Sequence, residues 1–86
     1  MYKYQLSKTV RKFLDKRDQA FILTFNEKLT AIRENPIHPI ADVKPYIGYP
    51  WHYRLRIGKY RFLYTILEEE ILIYFYDADS RGGMYK

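Results

Sequence analysis

The clearest pattern in the chain is the stretch YRLRIGKYRFLY, residues 53–64. Apolar and basic side chains alternate as far as Ile57, which is the period of a strand with one buried face. The dipeptide Gly58-Lys59 can close a two-residue turn, and the alternation resumes at Tyr60. The stretch therefore predicts a β-hairpin in which Ile57 lies opposite Tyr60.

The same register gathers arginines on one face of the hairpin. Arg56 is expected opposite Arg61, and Arg54 falls one pleat away on the same face. Like charges directly across a ladder are destabilising, so stability alone gives no reason for this arrangement. Three guanidiniums together can grip a polyanion, each with paired hydrogen bonds to a phosphate. The alternative interpretation is that each arginine covers apolar surface with its stem or pairs with a glutamate.

Upstream of the hairpin, the apolar spacing changes to that of helices. Residues 2–6 alternate weakly and predict a first strand. Ser7 and Asp18 are good N-caps, and apolar residues recur at helical spacing after each of them. The second helix is predicted to end at Asn35, before Pro36. Residues 36–50 hold all four prolines and are predicted to be loop.

Downstream of the hairpin, residues 68–70 are acidic and residues 71–76 are apolar on both faces. Such a run predicts a strand in the middle of a covered sheet, followed by a polar tail over residues 77–86. The first hairpin strand is expected to begin at Trp51. The order is then β-α-α-β-β-β, a single α+β domain over residues 1–86 with an N-terminal helical hairpin packed on a small antiparallel sheet.

The composition excludes several classes of site. The chain has no cysteine, so disulfides and thiolate metal sites are absent, as suits a reducing compartment. Two histidines and scattered acids give no metal-ligand spacing, and no glycine-rich phosphate loop is present. No segment has the length of a membrane span or the apolar core of a signal peptide. We therefore expect a cytoplasmic protein without a metal or cofactor.

The charge distribution predicts a partner rich in phosphate. The formal net charge is +5. Residues 8–17 hold five basic residues and one acid, and residues 51–61 hold three arginines, one lysine and no acid. A basic surface attracts phosphate polyanions and speeds their capture.

Taken together, these motifs resemble the RelE branch of the RelE/ParE toxin superfamily. Residues 53–64 are similar to the family's basic strand, turn and YRLVY-like strand, and residues 42–45 (DVKP) resemble its DVKKLKG loop. Residues 71–76 resemble its apolar last strand. Residues 79–86 resemble its terminal motif, in which a basic residue is followed by a near-terminal tyrosine.

The resemblance implies a metal-independent endoribonuclease, the toxin of a toxin–antitoxin pair, that cuts messenger RNA in the ribosomal A site. The ribose 2′-OH would attack the adjacent phosphate and leave a 2′,3′-cyclic phosphate, or its 3′-phosphate, and a 5′-hydroxyl. The implied partners are a cognate antitoxin, the ribosome and messenger RNA. The density of unmatched basic residues on the first helix predicts ribosomal-RNA contacts by Lys8, Arg11, Lys12 and Lys16.

The resemblance also implies roles for individual residues. Arg54 and Arg56 match two basic residues, usually lysines, that face the scissile region. Arg61 matches an arginine that stabilises charge on the phosphorane, and Arg81 matches an arginine near the leaving oxygen. Tyr85 matches the tyrosine that stacks on the substrate and orients it.

The departure from the family is the arginine at both lysine positions. Arginine is a poor general base, so the mechanism would depend on electrostatic stabilisation and in-line geometry. His52 shares the face of Arg54 and Arg56 and is a second candidate base, because imidazoles titrate near neutrality. His38 lies in a proline-flanked loop and is predicted to be structural or exposed.

Two other functions stay open. A ParE-like toxin shares the fold but targets gyrase and cuts no RNA. Such relatives usually lack the full arginine set and the near-terminal tyrosine, so Arg61, Arg81 and Tyr85 argue against it. A catalytically silent RNA-binding module of the same fold would keep every phosphate contact, and the sequence does not separate it from the enzyme.

Overall fold

The computed structural model describes residues 1–36 and 42–80. In chain order the elements are β1 (Lys3–Leu6), α1 (Lys8–Asp15), α2 (Gln19–Glu34), β2 (Val43–Pro45), β3 (His52–Ile57), β4 (Tyr60–Leu67), a 3₁₀ turn (Glu68–Glu70) and β5 (Leu72–Ser80). The five strands form one sheet in the order β1-β5-β4-β3-β2. The β1–β5 pair is parallel, and the other pairs are antiparallel.

The predicted α+β class, with a helical hairpin on a sheet, is confirmed, but the sheet differs from the prediction in two details. Val43–Pro45 lies in the segment predicted to be loop and pairs with β3 as an edge strand, a position that tolerates proline. Three residues that include a proline carry no alternation, so the sequence pattern does not reveal this strand. The parallel β1–β5 pair makes the sheet mixed instead of purely antiparallel.

Both helices begin at the predicted caps. The Ser7 hydroxyl accepts a hydrogen bond from the Val10 N–H at 3.2 Å, and an Asp18 carboxylate oxygen accepts one from the Phe21 N–H at 2.9 Å. After α2 the backbone of Asn35 is extended (φ −149°), as suits the residue before a proline. Neither helix of the described residues is long and apolar enough to cross a membrane.

The β3–β4 hairpin has the predicted register. Ile57 pairs with Tyr60, and Arg56 pairs with Arg61. Gly58 opens the connecting turn with φ +60°, a backbone conformation that glycine adopts without the strain of a side chain. The turn and the alternation of the two strands therefore agree.

Three strand ends differ from the prediction. Trp51 is a turn residue with φ +67° and an exposed side chain, so β3 begins one residue later. Ile71 is likewise exposed with φ +51°, and β5 begins at Leu72. Residues 77–80, predicted to belong to a polar tail, continue β5 because they pair with β4. Polarity alone therefore misplaced the end of the strand.

The core lies between the two helices and one face of the sheet, and Phe62 is at its centre. The centroid of the Phe62 ring lies 4.9 Å from that of Phe25, 5.5 Å from that of Phe13 and 6.2 Å from that of Phe21. Aromatic pairs at such distances add to the free energy gained by burying the rings. The buried cluster comprises Val10, Phe25, Leu29, Ile32, Leu55, Ile57, Phe62, Tyr64, Ile66, Ile73 and Phe75.

Tyr64 ties the sheet to the end of α2. It is fully buried, and its hydroxyl donates a hydrogen bond to the backbone carbonyl of Pro36. Burial, and to a smaller extent the neighbouring Tyr53, raises the pKa of Tyr64 above its ordinary value. The folded chain therefore holds this proton more tightly than the unfolded chain. The stabilisation that comes from this difference in pKa is complete below about pH 10, the ordinary tyrosine pKa, and it is lost as the pH rises further.

We expect Tyr64→Phe to lower the free energy of unfolding by about 1 kcal/mol at neutral pH, because one hydrogen bond is lost. Above about pH 10 the gap between wild type and variant should narrow, since the variant has no proton to lose at this position. Urea unfolding at a series of pH values measures both effects. Tyr4→Phe, at an exposed tyrosine of β1, is the control and should match wild type. A gap that stays constant above pH 10 would contradict the interpretation.

Candidate functional site

The face of the sheet turned away from the helices carries the predicted site residues of β3 and β4, and we call it the open face. Strand alternation places there the side chains that lie between the buried positions of β3 and β4. On these two strands the open face comprises His52, Arg54, Arg56, Arg61, Leu63 and Thr65. The prediction that the arginines and His52 share one face is therefore confirmed.

The arginines surround a buried leucine. Arg56 lies directly across the ladder from Arg61, and Arg54 lies across from Leu63. Leu63 is only 3% exposed although it points away from the helical core. Arg54 and Arg61 are themselves half-buried, so we attribute the burial of Leu63 to the stems of the side chains beside it. The arginines thus cover apolar surface and also concentrate positive charge.

Arg56 forms an ion pair that the sequence did not reveal. Its Nε donates to Oδ2 of Asp42 at 2.9 Å, and its backbone N–H donates to the Asp42 carbonyl at 3.2 Å. The two side chains are 52% and 39% exposed, so the pair contributes about 1 kcal/mol at most. It does orient the guanidinium. For Arg56 the alternative of a carboxylate partner is therefore correct, with an aspartate in place of the expected glutamate.

Two further carboxylates stand on the open face, on β5. Asp79 is the ladder neighbour of Arg61, and Asp77 is the ladder neighbour of Leu63. Opposite charges on adjacent strands offset the repulsion between Arg56 and Arg61. The apolar run predicts a strand that ends at Tyr76, so neither acid is predicted to lie on this face. The sequence feature that indicates their position is the alternation of polar and small side chains, which continues through residues 77–80.

His52 makes a hydrogen bond to Tyr76. Its Nδ1 lies 2.8 Å from the Tyr76 hydroxyl, and the two ring centroids are 5.4 Å apart at 75°. The register of β5 shifts here, because Phe75 pairs with Tyr64 while Asp77 pairs with Leu63. Tyr76 is the extra residue of this β-bulge, a feature that redirects a side chain. The hydrogen bond occupies Nδ1, so Nε2 is the ring nitrogen that can exchange a proton with a bound molecule.

The basic residues of α1, together with Lys16 directly after it, are not part of the open face. Lys8, Arg11, Lys12 and Lys16 are all exposed. Their helix packs Phe13 against Phe62 and so lies on the opposite side of the sheet. The structure therefore has two separate basic surfaces, which the sequence did not place relative to each other.

The remaining predicted residues Arg81, Tyr85 and His38 lie outside the described ranges. Within residues 1–36 and 42–80, no group of three or more histidine, aspartate or glutamate side chains could hold a metal ion.

No protein-family model matches the chain. A protein of Methanocaldococcus jannaschii named "Putative toxin RelE1" is 30% identical over 86 residues, which is 99% of this chain and 96% of that protein. The RelE–RelB complex from Pyrococcus horikoshii OT3 contains a chain with a TM-score of 0.82 and 26% identity, over 95% of this chain and 97% of that one.

The intact E. coli RelBE toxin–antitoxin complex gives a TM-score of 0.79 at 17% identity, over 93% and 96% of the two chains. That likeness shows a common fold. The M. jannaschii relative adds a sequence match along nearly the whole of both proteins. The chain therefore belongs to the RelE toxin family.

Proposed function

We propose that this RelE-family toxin cleaves messenger RNA in the ribosomal A site. The observation that carries the proposal is the open face, where Arg54, Arg56 and Arg61 stand together on neighbouring strands. Guanidiniums bind phosphate oxygens in a bidentate manner, and three of them suit a strand with regularly spaced phosphates. Family membership supports a toxin, and the arginine set supports RNA as its target.

The proposed reaction is an internal transesterification. The ribose 2′-oxygen attacks the adjacent phosphorus as the bond from phosphorus to the 5′-oxygen breaks. The 2′-hydroxyl proton goes to a base, and the leaving 5′-oxygen takes up a proton. The products are a 2′,3′-cyclic phosphate and a 5′-hydroxyl. Negative charge grows on the phosphoryl oxygens in the transition state, so a guanidinium contact that strengthens at that moment accelerates the step.

We assign the stabilisation of this charge to Arg61, supported by Arg54. Both are half-buried, and partial burial strengthens an electrostatic contact by excluding water. Arg56 is more exposed and already engages Asp42 through Nε, so its terminal nitrogens are the ones left for a phosphate. From the family resemblance we keep Arg81 as the group near the leaving oxygen and Tyr85 as the stacking residue.

For the base we propose His52. The arginines do not lose a proton under physiological conditions, whereas an imidazole does. His52 shares the face of the arginines, and its bond to Tyr76 favours one orientation of the ring. Tyr76 is then a positioning residue that acts through His52.

We also propose an antitoxin partner and a ribosomal one. The P. horikoshii and E. coli relatives were solved as toxin–antitoxin complexes, which supports a similar partner here. A disordered antitoxin segment could add a strand to an edge of the sheet or a helix across a basic surface. The basic surface on α1, which lies away from the arginines, supports contacts to ribosomal RNA while messenger RNA occupies the open face.

Arg61→Ala should lower the cleavage rate about a hundred- to a thousandfold while ribosome binding survives, because the contact acts mainly in the transition state. Primer extension on a translated message measures cleavage, and co-sedimentation measures binding. Lys3→Ala is the control, since it also removes one positive charge. Lys3 lies beside Leu72 at the start of β5, whereas Arg61 lies beside Asp79 near the end of that strand, so Lys3→Ala should cleave normally.

The same test separates the alternatives. If Arg61→Ala, Arg81→Ala and Tyr85→Ala all arrest growth as wild type does, RNA cleavage is not the activity and a ParE-like gyrase toxin takes its place. If wild type itself binds ribosomes and cuts no message, the chain is a silent RNA-binding module.

His52→Ala should lower the rate and remove the acid limb of the pH–rate profile, because the variant has no imidazole to act as the base. Tyr76→Phe keeps the ring and removes the hydroxyl. It should lower the rate less than His52→Ala and keep that limb, because the imidazole is still present. Single-turnover cleavage on ribosomes across pH measures both. An unchanged profile in His52→Ala would remove His52 from the mechanism.

The dependence of cleavage on the ribosome should come from the basic residues of α1 and from Lys16 directly after it. Replacing Lys8, Arg11, Lys12 and Lys16 by alanine should weaken ribosome binding and flatten its dependence on salt, because phosphate contacts release counterions. Cleavage of translated messages should fall in parallel, and free RNA should stay almost uncut by wild type and variant. Efficient cleavage of free RNA that resists salt would contradict the proposal.

A further inference from the structure

Between β2 and β3 the chain forms a loop whose surface is largely aromatic, and the proposed reaction does not use its tip. We call residues 46–52, YIGYPWH, the aromatic loop. Ile47, Tyr49 and Trp51 are 90%, 57% and 59% exposed. Large apolar side chains so close together on a surface commonly mark a binding site.

Hydrogen bonds within the loop hold its shape. The Tyr46 N–H donates to the His52 carbonyl at 2.9 Å, the Tyr49 N–H to the Tyr46 carbonyl at 3.1 Å, and the His52 N–H to the Tyr49 carbonyl at 3.1 Å. Gly48 and Trp51 reverse the chain with φ +89° and +67°. A loop that is ordered before binding loses little conformational entropy when a ligand arrives.

The rings form a continuous row that reaches the open face. Tyr46 and Tyr49 are stacked, with centroids 5.1 Å apart and planes 16° apart. Tyr49 lies 6.0 Å from His52, and His52 lies 5.4 Å from Tyr76. A groove of about 480 Å³ follows residues 45–53. A second groove of about 350 Å³ is lined by both Tyr46 and Arg54, so the aromatic loop borders the arginines.

Charge decides which kind of partner fits. Residues 43–61 contain no acidic residue, and Lys44 lines the second groove together with Arg54. Rings beside cations match a strand that has bases as well as phosphates. An apolar protein segment would use the rings alone.

We propose that the aromatic loop is a stacking platform for bases of single-stranded RNA next to the cleaved phosphate. The proposal rests on the proposed function, since it assumes that the phosphates of the same strand lie on the open face. His52 and Arg54 are two residues apart on one strand, about 7 Å, so a base on the loop and a phosphate on Arg54 can belong to neighbouring nucleotides. Stacking accepts every base, so the platform adds affinity without choosing a sequence.

The test uses binding alone, with oligomers that cannot be cut. A short single-stranded 2′-O-methyl RNA has no free 2′-hydroxyl, and a chain of equal length without bases carries the same charge. Anisotropy of end-labelled oligomers measures affinity, and the emission of Trp51, the single tryptophan of the sequence, reports on the loop. Wild type should bind the base-bearing oligomer at least about fivefold more tightly. Only that oligomer should change the Trp51 emission strongly.

Variants of Tyr49 locate the effect. Tyr49→Leu keeps an apolar side chain and removes the ring, so the preference for the base-bearing oligomer should shrink while binding of the baseless one persists. Tyr49→Phe keeps the ring and should behave as wild type. Tyr4→Leu is the matched control, since Tyr4 is 45% exposed on β1, where its ring contacts Arg33 instead of the loop. Circular dichroism verifies that each variant is folded.

Each outcome decides the proposal. Equal affinity of wild type for the two oligomers, no binding of either, or a preference that Tyr49→Leu leaves intact overturns the stacking platform. A base preference that depends on Tyr49 supports it, even if wild type cuts no message, in which case only the proposed cleavage fails. If wild type cleaves messages but shows no preference for the base-bearing oligomer, the proposed cleavage stands and the stacking platform fails.

Discussion

The register of the hairpin formed by β3 and β4 is the constraint that sets the positions of both the core and the candidate site. Side chains alternate between faces, so the pairing of Ile57 with Tyr60 across one tight turn settles the face of every other residue in both strands. Phe62 consequently reaches the centre of the core, and its neighbour Arg61 reaches the open face. A slip by one residue would drive arginines under the helices, and burying an unpaired charge costs several kcal/mol.

The bulge at Tyr76 is the second constraint, because it changes the alternation of β5 at one point. Before it, Ile73 and Phe75 are buried; after it, Ala78 packs against the core. Without the extra residue, the alternation would point Asp77 and Asp79 toward the helices. The bulge instead places both carboxylates on the open face, where they lessen the repulsion among the arginines. The same extra residue brings a hydroxyl to His52, so one irregularity serves both stability and the candidate site.

Local sequence patterns are enough to predict the parts of the fold that depend on neighbours in the chain. Both helix caps, the turn at Gly58 and the pairing within the hairpin follow from local hydrogen bonding and strict alternation, and each was predicted correctly. The grouping of His52, Arg54, Arg56 and Arg61 follows from the same alternation. The α+β class could be predicted as well, because the apolar spacing is helical up to the end of the second helix and strand-like in the hairpin that follows.

Contacts between segments that are distant in the chain do not follow from these local patterns. The edge strand β2 is too short to show a pattern, and its pairing with β3 places Asp42 beside Arg56. The parallel contact of β1 with β5 joins the two ends of the described chain. The meeting of His52 with Tyr76 depends on a bulge in β5, which lies more than twenty residues further along the chain. The physical reason is common to all three: long-range backbone pairing brings these segments together, and local periodicity carries no information about a partner far along the chain.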